Sequence, residues 1–112
     1  MNNFNFTVLE GNLVRDPEVK TIGDKTLCKL VIASNRQYTK KDGTKVDEAN
    51  FFDVAMWGKL GETCSKYLKK GSRVLVSGNL CKDIWKTAEG ETKSNTYINA
   101  KEVNFLNGGN KL

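Results

Sequence analysis

Four aromatic residues and a handful of cations carry the chemistry of this chain. Phe51, Trp57 and Trp85 stand on strand-like segments, and Tyr38 closes another strand-like run beside Arg36. Lys59, Lys69, Lys70 and Arg73 are interleaved with them. A soluble domain usually buries its large aromatics or scatters a few on its surface. Rings at strand ends, bracketed by cations, suit another task. Flat rings stack on nucleobases, and ammonium or guanidinium groups neutralise the phosphates between them. Every base has a π-face, so such a surface tolerates almost any sequence.

Composition narrows the alternatives. The chain has 112 residues, enough for one domain with its own core. Its formal charge of +5 is a moderate basic bias. That bias fits either a bland basic surface or a polyanion partner. No apolar run is long enough to span a membrane. The Asn-rich start lacks the basic and apolar regions of a secretory signal. Cys28, Cys64 and Cys81 are odd in number and form no CxxC pair, and histidine is absent. Free thiols in a reducing cytoplasm are expected, with no metal and no cofactor. Without histidine, a phosphate-binding loop or a nucleophile motif, an enzyme is not expected.

The elements that must position these residues are mostly strands. A first strand fits Asn5 to Val14, with Gly11 marking a bulge or sharp coil, and Asp16-Pro17-Glu18 marks a turn or strand edge. Thr26 to Tyr38 reads as a second strand, and residues 39 to 48 as a long, charged, mobile loop. The third strand runs from Asn50 to Trp57. Within it Phe51 and Phe52 must point to opposite faces. Leu60, Cys64, Tyr67 and Leu68 then fall on one face of a helix over 58–70, which places Tyr67 among buried residues and makes Gly71 the C-cap. A fourth strand from Arg73 to Trp85 bends at Gly78. A polar loop over 87–94 leads to a fifth, Asn95 to Phe105. Three strands, a helix and two more strands predict an all-β, five-stranded Greek-key barrel of the OB-fold type, with the helix between strands 3 and 4. An open α+β sheet is the alternative. The barrel domain covers 1–106 and a short flexible tail 107–112.

Over Asn5 to Phe105 the chain resembles the bacterial single-stranded DNA-binding proteins of the OB-fold type. The resemblance rests on Gly11-Asn12-Leu13 with Asp16-Pro17-Glu18, then Gly58-Lys59-Leu60, then Tyr67-Leu68-Lys69-Lys70-Gly71-Ser72, then Gly78-Asn79-Leu80 leading to Trp85. It implies base stacking by Tyr38, Phe51, Trp57 and Trp85. Phosphate contacts are expected from Arg36, Lys59, Lys70 and Lys82. It further implies a homotetramer, with a dimer possible, coating single-stranded DNA in the cytoplasm, at the nucleoid, during replication, recombination and repair.

Two departures carry consequences. Asp53 and the segment Cys81-Lys82-Asp83-Ile84 stand where familiar members are more basic, which implies a shallower salt dependence. The chain also stops at Leu112 without the acidic tip by which familiar members recruit replication and repair proteins. Either recruitment is lost or this is a specialised or trimmed form. A primosomal replication-restart adaptor of the same fold is the alternative reading. Ordinary packing roles remain open for Trp57, as a core residue ending its strand, and for Phe4, Phe6 and Phe105, in the core or a subunit interface.

Overall fold

The computed structural model describes residues 2–106; the tail expected over 107–112 lies outside them. Six strands and one helix follow in order: β1 (Thr7–Leu13), β2 (Glu18–Ile22), β3 (Lys25–Thr39), β4 (Lys45–Trp57), α1 (Gly58–Tyr67), β5 (Arg73–Lys86) and β6 (Thr92–Phe105). Hydrogen-bonded neighbours run β1-β5-β6-β4-β3, and β1 also pairs with β3, so five strands close on themselves. All pairings are antiparallel except the short β4–β6 seam at Asp53↔Tyr97, Val54↔Ile98 and Ala55↔Asn99. This is the expected closed barrel, with the helix between its third and fourth strands, here β4 and β5.

Closure requires one strand to serve two neighbours, and β1 does so. It pairs with β5 through Asn12↔Arg73 and with β3 at Asn12↔Ala33 and Leu13↔Ile32. Gly11 sits at this crossing, against Ile32 and the carbonyl of Ala33, where a β-carbon would collide. The ladder register runs through Gly11 without a shift. The irregularity lies instead at Ser77/Gly78, where Gly78 packs against the backbone of Asn99.

The core is a single apolar cluster. Leu30, Ile32, Val54, Met56, Val74, Val76 and Ile98 fill the barrel, and Cys28, Cys64 and Leu68 seal the end that α1 covers. Among the described residues no polar or charged side chain is buried. Burial pushes the Cys28 thiol up, and burial followed by the nearby Cys28 pushes Cys64 up to about 11.

Several expected boundaries move. Glu18–Ile22, flagged only as a turn or strand edge, is a strand on the outer side of β3, exposed throughout. Its ladder to Lys25–Lys29 is set by tertiary pairing, because no apolar alternation marks it. The expected loop over 39–48 contracts to a turn. β3 and β4 pair as far as Thr39↔Lys45, and Lys40 N–H donates to the Thr44 carbonyl at 2.8 Å. The Asp42 carboxylate accepts from Thr44 N–H at 2.9 Å, which holds its pKa below the usual range. Likewise the loop expected over 87–94 gives way to strand from Thr92.

The helix also ends early, at Tyr67, and Leu68 leaves it in an extended conformation. Leaving there drops Leu68 into the core, 7% exposed. Gly71, with φ +92°, belongs to the following turn and does not cap the helix. Tyr67 is 69% exposed, which corrects its expected place among buried residues. The buried stripe is Gly61, Cys64 and Leu68. The small Gly61 lets α1 settle against Met56 and Cys28, and Tyr67, three residues past Cys64, lies off that buried side.

Candidate nucleic-acid interface

Strand alternation assigns faces to every residue of the expected site. On β3 and β4 the even-numbered residues Cys28, Leu30, Ile32, Val54 and Met56 face the core. The register from Leu27↔Trp57 to Thr39↔Lys45 is unbroken. Phe51, Asp53, Ala55 and Trp57 therefore share the outer face of β4. The β4–β6 seam continues that face onto β6 through Asp53↔Tyr97. From there Cys81↔Tyr97, Asp83↔Asn95 and Trp85↔Lys93 carry it onto β5. Phe51, Trp57 and Trp85 thus stand on one continuous surface, 62%, 43% and 47% exposed.

Trp57 owes its place to the residue after it. Trp57 itself is extended, with φ −107° and ψ 150°, and is the last residue before α1. Gly58 adopts φ +69°, a conformation that L side chains rarely take. The chain swings there from strand to helix, and Trp57 is left at the rim with no helix packed over it. Its expected alternative role as a core residue does not fit that exposure.

Beside Trp57 on this face lies a groove of about 350 Å³. Trp57, Ala55 and Asp53 line one wall, and Leu27, Lys29 and Val31 of β3 another. Asn95 and Tyr97 of β6 and Asp83 of β5 stand opposite, with Arg15 and Glu18 at the margin. Leu27 and Ala55 are nearly buried at 6% and 7% exposure, so the floor is apolar although they lie on the outer face. Asn95 donates its side-chain N–H to Asp53 Oδ2 at 3.0 Å. Desolvation, then Cys81 and Asp83, raise the Tyr97 phenol above its usual pKa.

The remaining expected residues are dispersed. Tyr38 belongs to the even-numbered set of β3, on the opposite side of the β3–β4 ribbon from Phe51, and is half-buried. The Arg36 guanidinium lies 4.6 Å from the centre of its ring and 4.0 Å from Glu48. Arg36 thus already has a ring and a carboxylate for partners. Lys59 is exposed in the first turn of α1, two residues beyond Trp57. Lys70 is exposed in the turn after the helix, its N–H donating to Asp16 Oδ1 at 2.8 Å. Lys82 is exposed on the face of β5 opposite Trp85. Cations that do share the ring-bearing face include Lys29, which lines the groove, and Lys93, directly across from Trp85. Both were missed in the sequence. Lys29 had a signal: it is the one charge in the run Leu27-Cys28-Lys29-Leu30-Val31-Ile32.

Known proteins share this chain's sequence pattern and its barrel. The model of the Single-strand binding protein family matches residues 4–106. The chain belongs to that family. It is a family of binding proteins, not of enzymes. Among relatives, the single-stranded DNA-binding protein of Treponema pallidum is 41% identical over 107 residues, covering 95% of this chain and 60% of the relative. That of Wolinella succinogenes is 36% identical over 104 residues, covering 92% of this chain and 64% of the relative. This chain therefore spans about three fifths of the length of these family members. Among solved structures, the Plasmodium falciparum SSB in complex with ssDNA superposes with a TM-score of 0.87 at 22% identity, covering 96% of this chain and 98% of that one. A deletion mutant of the Thermus aquaticus single-stranded DNA binding protein superposes with a TM-score of 0.81 at 23% identity, covering 94% and 51%. At that identity the two structures establish the shared fold. No helix among the described residues is long and apolar enough to cross a membrane.

Proposed function

We propose that this chain binds single-stranded DNA with little sequence preference and coats it during replication, recombination and repair. One observation supports the reading: three large aromatics, Phe51, Trp57 and Trp85, are exposed on one continuous face, and Trp57 lines a groove in it. Each ring that stacks contributes on the order of 1–3 kcal/mol per base. Lys29 and Lys93 neutralise phosphates on the same face, and Lys59 and Lys70 extend the path past the helix. Tyr38 adds a fourth ring farther out on the β3–β4 arm, where a strand leaving the groove would meet it. The family membership and the names of the relatives support the same partner.

The proposed working form is a homotetramer at the nucleoid. Phe6 and Val8 of the β1 segment are 60% and 52% exposed, and Ile84 on the β5–β6 arm is 67% exposed. A monomer in water gains by covering such residues.

Titration with oligo-dT while reading tryptophan emission tests the binding. Strong quenching that persists at high salt is the expected result. Weak quenching that vanishes with salt would leave electrostatic attraction alone and favour the restart adaptor.

A further inference from the structure

Strand β2 extends the ring-bearing face beyond β3. Its residues Glu18, Lys20 and Ile22 pair with Lys29, Leu27 and Lys25. Leu27 in turn pairs with Trp57. Lys20, Leu27 and Trp57 therefore form one row across three strands, on one side of the sheet. Val19 pairs with Cys28, on the side that α1 covers, so Lys20 and Ile22 point the other way. Neighbouring strands lie about 4.8 Å apart, which sets the Lys20 backbone about 10 Å from that of Trp57. Leu27 stands between them and is only 6% exposed, so the gap has a low apolar floor. Lys25 follows on the same face of β3, past the point where β4 ends at Trp57. Both lysines are exposed, and among the described residues neither has an ion pair within 4.0 Å. Their acidic neighbours in the chain are Glu18, on the same face, and Asp24, in the turn between the strands.

We infer that the β2–β3 hairpin is part of the nucleic-acid interface, with Lys20 and Lys25 holding the phosphates next to the base that stacks on Trp57. The inference rests on the single-strand reading above and deepens it, because it names where the strand leaves the barrel: across β3 and β2, along the Trp57 row. A base on the Trp57 ring leaves its sugar and phosphates at the ring's margin. On the β3 side of that margin the floor is Leu27, which offers phosphate nothing, and the cations stand just beyond it. A lysine stem laid back over Leu27 brings its ammonium to that margin while its methylenes cover the leucine. Such contacts hold phosphate without reading bases, so they add affinity with no sequence preference. Trp57 and Lys20 then act on a single nucleotide, and each helps to place it for the other.

The test follows the anisotropy of labelled oligo-dT over a series of salt concentrations, a signal that does not depend on the tryptophans. Lys20→Ala should lower the slope of log affinity against log salt by about 0.7, and Lys20→Ala with Lys25→Ala by about 1.4. Lys20→Arg keeps the charge and should keep the parent slope. Circular dichroism of all three should match the parent, because both side chains are exposed. Adjacency is read from a double-mutant cycle. The loss caused by Lys20→Ala should shrink at least about threefold when Trp57 is already alanine, since the two groups share a nucleotide. Lys41→Ala, at the far end of the β3–β4 ribbon, should instead combine with Trp57→Ala independently. An unchanged slope in the double lysine variant, a slope lost in Lys20→Arg as in Lys20→Ala, or independent losses for Lys20 and Trp57 would each overturn the inference while leaving single-strand binding intact. A parent protein that fails to bind oligo-dT would overturn the single-strand reading and the inference with it.

Discussion

Trp57 and Trp85 show how few atoms the proposed binding needs. Both rings are nearly half exposed, and neither belongs to the core cluster. Replacing both by alanine should leave the circular dichroism spectrum unchanged and weaken oligo-dT binding at least tenfold, about 1.4 kcal/mol or more. Unchanged affinity would sink the stacking assignment. The cysteines divide by environment in the same way. Cys28 and Cys64 are fully buried with raised pKa values, whereas Cys81 is half-buried on the groove face. Alkylation of the native protein should modify Cys81 alone, and mass spectrometry after digestion would show it. A raised thiol pKa also ties stability to pH. The folded state holds the Cys64 proton more tightly than the unfolded chain does. Its contribution is fully present below the ordinary value of 9.0 and is lost as pH climbs towards about 11. Denaturation midpoints should accordingly fall through that alkaline window and recover part of the loss in Cys64→Ala.

At the scale of elements, the strands do their work through where they bend and pair. Gly78 lies where β5 and β6 shift register, against the carbonyl of Asn99. A β-carbon has no room there, so Gly78→Ala should cost about 1–3 kcal/mol, roughly 4–8 °C of melting temperature per kcal/mol. Since β5 and β6 carry Trp85, Lys93 and Tyr97 onto the groove face, the variant should lose oligo-dT affinity as well. A variant that melts like the parent would show that the strands can part locally. Helix α1 acts differently. It seals the barrel end with Gly61 and Cys64 and, by starting at Gly58, fixes where β4 releases Trp57.

The whole molecule is a small barrel with two long arms. Its radius of gyration of 16.4 Å exceeds the roughly 13 Å expected of a compact domain this size. The β3–β4 and β5–β6 hairpins run well past the core, because the core residues occupy only one end of each strand. On the proposed reading, the β5–β6 arm bearing Trp85 extends the path of a bound strand beyond the barrel. Charge on that path is mixed, with Asp53 and Asp83 among the cations, so binding should depend shallowly on salt. Lys29→Ala should lower the slope of log affinity against log salt by about 0.7, the contribution of one phosphate contact, whereas Trp57→Ala should lower affinity at every salt concentration with little change of slope. Assembly is a property of this scale too. Val8→Asp should reduce the mass measured by sedimentation without unfolding the subunit, and an unchanged mass would remove β1 from the proposed contact.

Much of this was legible in the chain itself. Leu30, Val31 and Ile32, or Val74, Leu75 and Val76, declare strands by type, and the spacing of Leu60, Cys64, Tyr67 and Leu68 declares a helix, though not its end or the facing of Tyr67. Gly58, Gly11 and Gly78 mark the points where the backbone must turn or approach a neighbour. These are local properties of side-chain shape and backbone freedom, so sequence determines them. Facing was decided elsewhere. Whether Tyr67 is buried depended on which side of the helix packs on β3 and β4, and whether Glu18–Ile22 is a strand depended on β3 offering it an edge. Lys82 and Trp85 are near neighbours in the chain yet fall on opposite faces, while Lys29 and Lys93 join the ring-bearing face from distant strands. Only the closure of β1 onto both β3 and β5, and the seam between β4 and β6, brings those faces together. Hydrogen-bond register between strands far apart in sequence sets that arrangement, and no single segment of the chain contains it.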